Sequence, residues 1–106
     1  MATTRMKTVG ADLGTGTTTI YTAPAGKDVT VVTLRAANIG AAQSTYEVTV
    51  AGHVIVKNAN LPVGEAHIHA EDGVLFLLPT ETLTGKAAVA ATVHVTASVI
   101  ERDALP

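Results

Sequence analysis

The sequence contains no cysteine and no tryptophan. The first absence excludes a disulfide framework and any thiolate chemistry. Aromatic residues make up only 3% of the chain, namely Tyr21, Tyr46 and Phe76. Aromatic side chains anchor most sugar, nucleobase and peptide sites, so their scarcity counts against a dedicated small-molecule pocket. Charged residues are also few, at 15%, and the formal net charge is -2. That balance excludes electrostatic capture of nucleic acid or of an anionic membrane. No stretch approaches the run of about 18 apolar residues that a membrane-spanning helix needs. No basic-plus-apolar leader opens the chain, so a soluble protein without a cleaved leader is expected. With 106 residues, the chain has room for one domain.

What the sequence has in quantity is threonine and valine, with alanine and glycine between them. β-branched residues are stiff at χ1 and suit a pleated, half-buried surface. The pattern bears this out segment by segment. "STYEVTVA" (44–51) places Tyr46, Val48 and Val50 on one face and Thr45, Glu47 and Thr49 on the other. "AVAATVHVTASVI" (88–100) places Val89, Ala91, Val93, Val95, Ala97 and Val99 on one face. This two-residue period predicts strands with one buried side. At roughly 3.3 Å per residue the second would run on the order of 40 Å, so a bend or bulge is expected. Further strands are predicted at 17–23, 27–38, 53–58, 65–70 and 74–79, with a short strand or turn at 81–86 ending at Gly85. Pro24 and Gly26, and again Pro62 and Gly64, mark turns, read as positions i+1 and i+3 of a type I turn. Ala51-Gly52 marks a tight hairpin.

The predicted fold is all-β: two packed antiparallel sheets of about seven to eight strands, a β-sandwich of jelly-roll or immunoglobulin-like type. The predicted organisation is a flexible N-terminal arm over residues 1–16, a sandwich over 17–100 and a charged tail over 101–106. Gly10, Gly14 and Gly16 break any period in the arm, which should order only on docking.

"EAHIHAEDG" (65–73) is the segment closest to chemistry. His67 and His69 sit one residue apart and would project to the same side of a strand, as a metal-binding His-x-His pair does. Further ligands would have to come from His53, His94, Glu71 and Asp72. Cupin-like enzymes carry His-x-His on a jelly-roll strand. In them the acidic ligand lies three or four residues beyond the second histidine, whereas Glu71 lies two beyond His69. The amphipathic reading places Ile68 toward the core and both histidines away from it, with a hairpin turn at Asp72-Gly73. On that reading the histidines serve a subunit contact rather than a metal.

Other chemistry finds less support. "GADLGTGTT" (10–18) lacks the strand and helix that a phosphate-binding glycine loop requires. Ser44 and Ser98 lie in strand patterns without a nucleophile elbow. Arg35 is read as an outward residue or a partner for Glu47. No catalytic, cofactor-binding or metal-binding residue is assigned, and no cofactor is expected.

The run "IYTAPAGKDVTVVTLRAANIGAAQSTYEVTVAG" (20–52) carries a Y-T-A-P-A-G-K turn followed by R-x-A-N-x-G. "LPVGE" (61–65) and "AATVHVTASVI" (90–100) follow downstream. Together these resemble small virion proteins of tailed bacteriophages, over about residues 17–100. The resemblance implies a non-enzymatic structural protein of the virion, made in the cytoplasm of a bacterial host. Within that class it implies a capsid decoration (cement) protein or a small tail-associated protein. The implied partners are the major capsid protein or tail proteins. The implied state is a homo-oligomer, often a trimer, with no role for nucleic acid or membrane. The shared residues are turn and core residues, so the resemblance transfers no contact residues.

Overall fold

The computed structural model describes residues 4–70 and 75–103. It is all-β. Its strands are β1 (Thr4–Asp12), β2 (Thr18–Thr22), β3 (Lys27–Asn38), β4 (Ser44–Val50), β5 (His53–Leu61), β6 (Ala66–Ala70), β7 (Leu75–Leu77), β8 (Thr82–Ala87) and β9 (Val93–Asp103). The first sheet runs β1-β9-β3-β6, with β7 also on β3; the second runs β2-β8-β4-β5. All pairings are antiparallel.

This topology decides between the two predicted architectures. Apart from the short β7, the strands pair as a folded ladder: β1 with β9, β2 with β8, β3 with β6, β4 with β5. Rolling that long double hairpin brings β3 beside β9 and β4 beside β8. The result is a jelly roll. The core lies between the sheets. It is lined by Val29, Val31, Leu34 and Ala36 of β3, Tyr46, Val48 and Val50 of β4, Leu83 of β8, and Val93, Val95, Ala97 and Val99 of β9. The strict alternation of β4 and β9 is the burial of one pleat face.

Besides β5, which runs on to Leu61, and β7, which is shorter than 74–79, three boundaries differ from the sequence reading in ways that bear on the core. Thr4–Asp12, within the segment expected to be an arm, is a strand paired with β9 from Thr4↔Arg102 to Asp12↔His94. It docks on its own chain, with Val9 and Ala11 packed against the core. Leu13, just beyond it, is fully buried. Next, β9 starts at Val93 and extends to Asp103, into the expected tail. Residues 88–92 form the turn before it, with Ala91 at φ 59°. Lastly, β8 passes through Gly85 to Ala87. Only a glycine fits there, because a Cβ would lie 2.9 Å from the Glu47 carbonyl and 3.0 Å from Leu13 Cδ2. The bulge expected along the final strand lies in its neighbour, between Val31 and Thr33 of β3.

The paired Pro-x-Gly turns have the same job. Each carries the chain from the second sheet to the first, β2 to β3 and β5 to β6. Lys27 N–H donates to Pro24 O and Glu65 N–H to Pro62 O, both at 3.1 Å. Gly26 and Gly64 are at φ 76° and 77°. The proline is therefore position i and the glycine position i+2, as in a type II turn, which needs positive φ there.

Ala51 and Gly52, joining β4 to β5, both have positive φ, 51° and 83°. A hairpin with two left-handed central residues favours Asn-Gly, and alanine is strained in that region. Ala51→Asn is expected to stabilise the protein by about 0.5–1 kcal/mol, read as a higher urea midpoint at unchanged slope.

Candidate functional site: a histidine–tyrosine cluster and two apolar surfaces

The orientation of β6 is the reverse of the amphipathic reading. Ile68 is 60% exposed, and the two histidines turn toward the core. The register explains it: Ile68 pairs with exposed Arg35, and His67 with buried Ala36. What draws the histidines inward is Tyr46. Its ring is buried in β4 of the opposite sheet, 2% exposed, and a buried phenol needs a polar partner. His67 Nδ1 lies 2.8 Å from Tyr46 Oη, and His69 Nε2 is hydrogen-bonded to the same oxygen. The three rings pack at centroid separations of 5.6–5.9 Å.

Tyr46 donates its proton to one ring nitrogen and accepts from the N–H of the other, so the two contacting nitrogens play opposite roles. A further proton on each ring would turn both nitrogens into donors and leave the phenol proton without an acceptor. Burial holds His69 below the usual 6.5, with the neighbouring His67 adding to the effect. Burial pushes the Tyr46 phenol up to about 12, so it stays protonated.

This cluster has a pH signature. Because the folded-state value of His69 is depressed, the unfolded chain takes up its proton first. The stabilisation is complete above about 6.5 and is lost as pH falls toward the folded-state value. The urea midpoint should therefore drop on acidification from about pH 7 to about pH 5. His69→Gln should flatten that slope. An unchanged slope in the variant would remove the cluster as its source.

The remaining candidate ligands are not assembled around the pair. His94 lies on the outer face of the first sheet, its Nδ1 2.6 Å from Asp12 Oδ1. His53 is exposed beside the β4–β5 hairpin. Glu71, Asp72 and the turn placed at Asp72-Gly73 lie outside the described residues. Among the described residues, no group of three or more His, Cys, Asp or Glu side chains converges. Glu47 does not meet Arg35; it pairs with Lys86 at 3.4 Å on the second sheet. Ser44 is buried, donating to Thr45 O at 3.0 Å and accepting from Val89 N–H at 3.2 Å. A cleft of about 160 Å³ lined by Thr15, Glu47, Asn58 and Lys86 is below the roughly 300 Å³ of ordinary ligand sites.

The sequence motif R-x-A-N-x-G is also structural. Asn38 is buried; its Nδ2 donates to Ala42 O and Leu61 O, and its Oδ1 accepts from Gly40 N–H, all at 2.9 Å. It fixes the β3–β4 loop against the end of β5. A second cross-sheet tie involves Glu101, buried on β9, which accepts from the Tyr21 hydroxyl of β2. Lys7 Nζ lies 3.2 Å from the same carboxylate. Sequence reasoning missed this tie because residue 101 was placed in the tail.

Most exposed large apolar side chains fall in two places; Val54, 53% exposed on β5, stands apart on the second sheet. Ile39, Val63 and Val89 sit on three loops gathered at one end of the sandwich. Ile39 N–H donates to Thr92 O and Asn38 N–H to Glu65 O, which holds the loops together. Met6, Ile68, Phe76 and Leu78 form the second group, Met6, Ile68 and Phe76 on the outer face of the first sheet.

No family model matches the sequence, and no curated protein matches it. Solved structures do. A chain from the acidic stable capsid structure of Helicobacter pylori bacteriophage KHP30 is similar at TM-score 0.56 and 12% identity. The match covers 95% of this chain and 92% of that one. A chain from Bacillus endospore appendages, described as a novel family of disulfide-linked pili, is similar at TM-score 0.52 and 13% identity. That match covers 99% of this chain and 89% of the other. At such identities the likeness is one of fold, and the fold is shared with proteins of two different assemblies.

Proposed function

We propose that this is a non-enzymatic structural protein of a bacteriophage virion, a capsid decoration (cement) protein that binds the assembled lattice through its loop end. The observation that carries the reading is the exposed apolar trio Ile39, Val63 and Val89 on three loops, two of them tied by Asn38 and the third by the Ile39 N–H to Thr92 O bond. Loops held by a rigid scaffold are the usual place for recognition, and apolar side chains there suit a protein partner. The fold likeness to a phage capsid chain and the resemblance of residues 17–100 to phage virion proteins support the same class. A lattice contact of this kind should bury on the order of 1,000 Å².

The test is co-sedimentation of the purified protein with heads assembled without it. Saturable binding that is lost in an Ile39→Asp, Val63→Asp double variant supports the reading. Binding to tails instead of heads would favour the small tail-associated alternative. Binding to neither would overturn the virion reading.

A further inference from the structure

The outer face of the first sheet differs from that of the second. On the second sheet the outward positions of β4 and β8 are Thr45, Glu47, Thr49, Thr82, Thr84 and Lys86, and β5 exposes a single large apolar side chain, Val54, opposite Thr49. On the first, the register aligns four side chains in one row across the sheet. Phe76 pairs with Thr30, Thr30 with Ile100, and Ile100 with Met6. Met6 is 71% exposed and Phe76 61%, one at each edge. The adjoining rows are Thr8, Ser98 and Thr33, then Gly10, Thr96, Arg35 and Ile68. The central rows are short-chained and, Arg35 apart, neutral. The row beyond Ile100 carries Arg102, whose Nη2 donates to Thr30 Oγ1 at 3.4 Å, with Asp28 as its neighbour on β3, and the opposite end carries the Asp12–His94 pair.

We infer that this face packs against the same face of a second copy. The row is self-complementary. A two-fold axis parallel to the strands, running between β9 and β3, keeps each row in register with itself and exchanges its ends. Met6 of one copy then meets Phe76 of the other, twice, and Ile100 meets Thr30. Thioether–ring contacts are favourable, and small β-branched residues between them allow sheets to approach to about 10 Å. Area sets the strength. Four strand positions at about 4.8 Å and five outward rows at roughly 6.7 Å give about 640 Å² per copy. The total, about 1,300 Å², is near the lower limit for a specific interface, so the dimer is weak and concentration-dependent. The two Arg35 side chains approach across the axis, while Arg102 of each copy lies opposite Asp28 of the other, so charges of both signs meet across the interface. This pairing uses a surface separate from the loop end, and it stands whether or not the protein sits on a virion.

Sedimentation equilibrium from about 1 µM to about 1 mM tests it. The expected result is a reversible monomer–dimer equilibrium. Phe76→Asp and Met6→Asp should each give a monomer with an unchanged unfolding midpoint, while Thr49→Asp on the second sheet leaves the dimer intact. Since the chain has no cysteine, a Met6→Cys, Phe76→Cys double variant reports the axis directly. Within one copy the two positions are three strand spacings apart, roughly 14 Å, too far for a disulfide. Facing positions of the two copies, at about the 10 Å sheet separation, are also beyond a disulfide but within reach of a bismaleimide shorter than about 14 Å, which should therefore yield a covalent dimer. A chain that stays monomeric at the highest concentration, or a dimer that survives Phe76→Asp, would overturn the inference. So would a monomeric wild type whose Phe76→Asp variant loses head binding, because the face would then belong to the lattice.

Discussion

Leu13→Ala is expected to destabilise the protein by about 2–5 kcal/mol, the range for removing a fully buried leucine side chain. Leu13 lies between two strands in the chain, yet none of it is exposed. Its N–H donates to Val93 O at 2.8 Å and its carbonyl accepts from Ala91 N–H at 2.9 Å, so the backbone cannot slide to fill a void. Its side chain fills the space that Gly85 leaves open, with Cδ2 3.0 Å from where a Cβ would stand. The same contact can be tested from the other side. Gly85→Ala should cost about 1–3 kcal/mol by overpacking. In the double variant the two changes should be less than additive, since the new methyl enters space the leucine vacated. Full additivity would remain only if the Glu47 carbonyl, not Leu13, limits the site. Urea unfolding of the four proteins completes the cycle. A Leu13→Ala loss below about 0.5 kcal/mol would mean that residue 13 lies on a peripheral arm after all.

Glu101→Ala should cost about 2–4 kcal/mol at pH 7, and the cost should shrink in acid. The carboxylate is buried and accepts from Tyr21 of the opposite sheet. Lys7 lies beside it and 5.4 Å from the centre of the Tyr21 ring. Truncation leaves a buried hydroxyl without a partner, and losing such charge-assisted bonds carries a penalty of this size. The Tyr21 hydrogen bond, above all, holds the Glu101 carboxyl below its usual 4.5, outweighing the opposing effect of burial, with Lys7 and Arg5 assisting. A depressed folded-state value contributes stability above about 4.5 that is lost as pH falls through that folded-state value. Wild type and variant should thus converge at low pH. Parallel pH profiles would show that the tie is not ionic. Glu101→Gln, which keeps an acceptor for Tyr21 but loses the charge, should fall between them.

The strands from β2 to β9 were legible from alternation, as in Tyr46, Val48 and Val50 or Val93, Val95, Ala97 and Val99, or, as for the unbroken apolar Leu75–Leu77, from the turn residues around them. β1 was not, since "TRMKTVGAD" has no apolar period of its own and becomes a strand by pairing with β9. Leu13 and Gly85 are explained only by each other, across 72 positions of sequence. The inversion of β6 has the same origin. Ile68 gave the expected local signal for an inward side chain. The demand of the Tyr46 hydroxyl for a partner overrode it from another strand. The clue within the sequence was Tyr46 itself, a phenol on an otherwise apolar face. The loop-end surface was hidden because an exposed Ile39 or Val63 looks the same in sequence as a buried one.

The pairing of β1 with β9 also sets an order of events during synthesis. The first strand made has no partner until the last has followed it, roughly 90 residues later, about 5–20 s at ordinary translation rates. Until then β3 lacks its longest neighbour as well. A partial chain therefore displays open strand edges that the finished sandwich covers. The sheets close from the hairpin tip outward, with pairings of long sequence separation coming last, which favours slow folding. Completion of the first sheet is in this sense a check on length: a chain interrupted before residue 93 cannot build the Met6–Ile100–Phe76 row or the Glu101 tie at all.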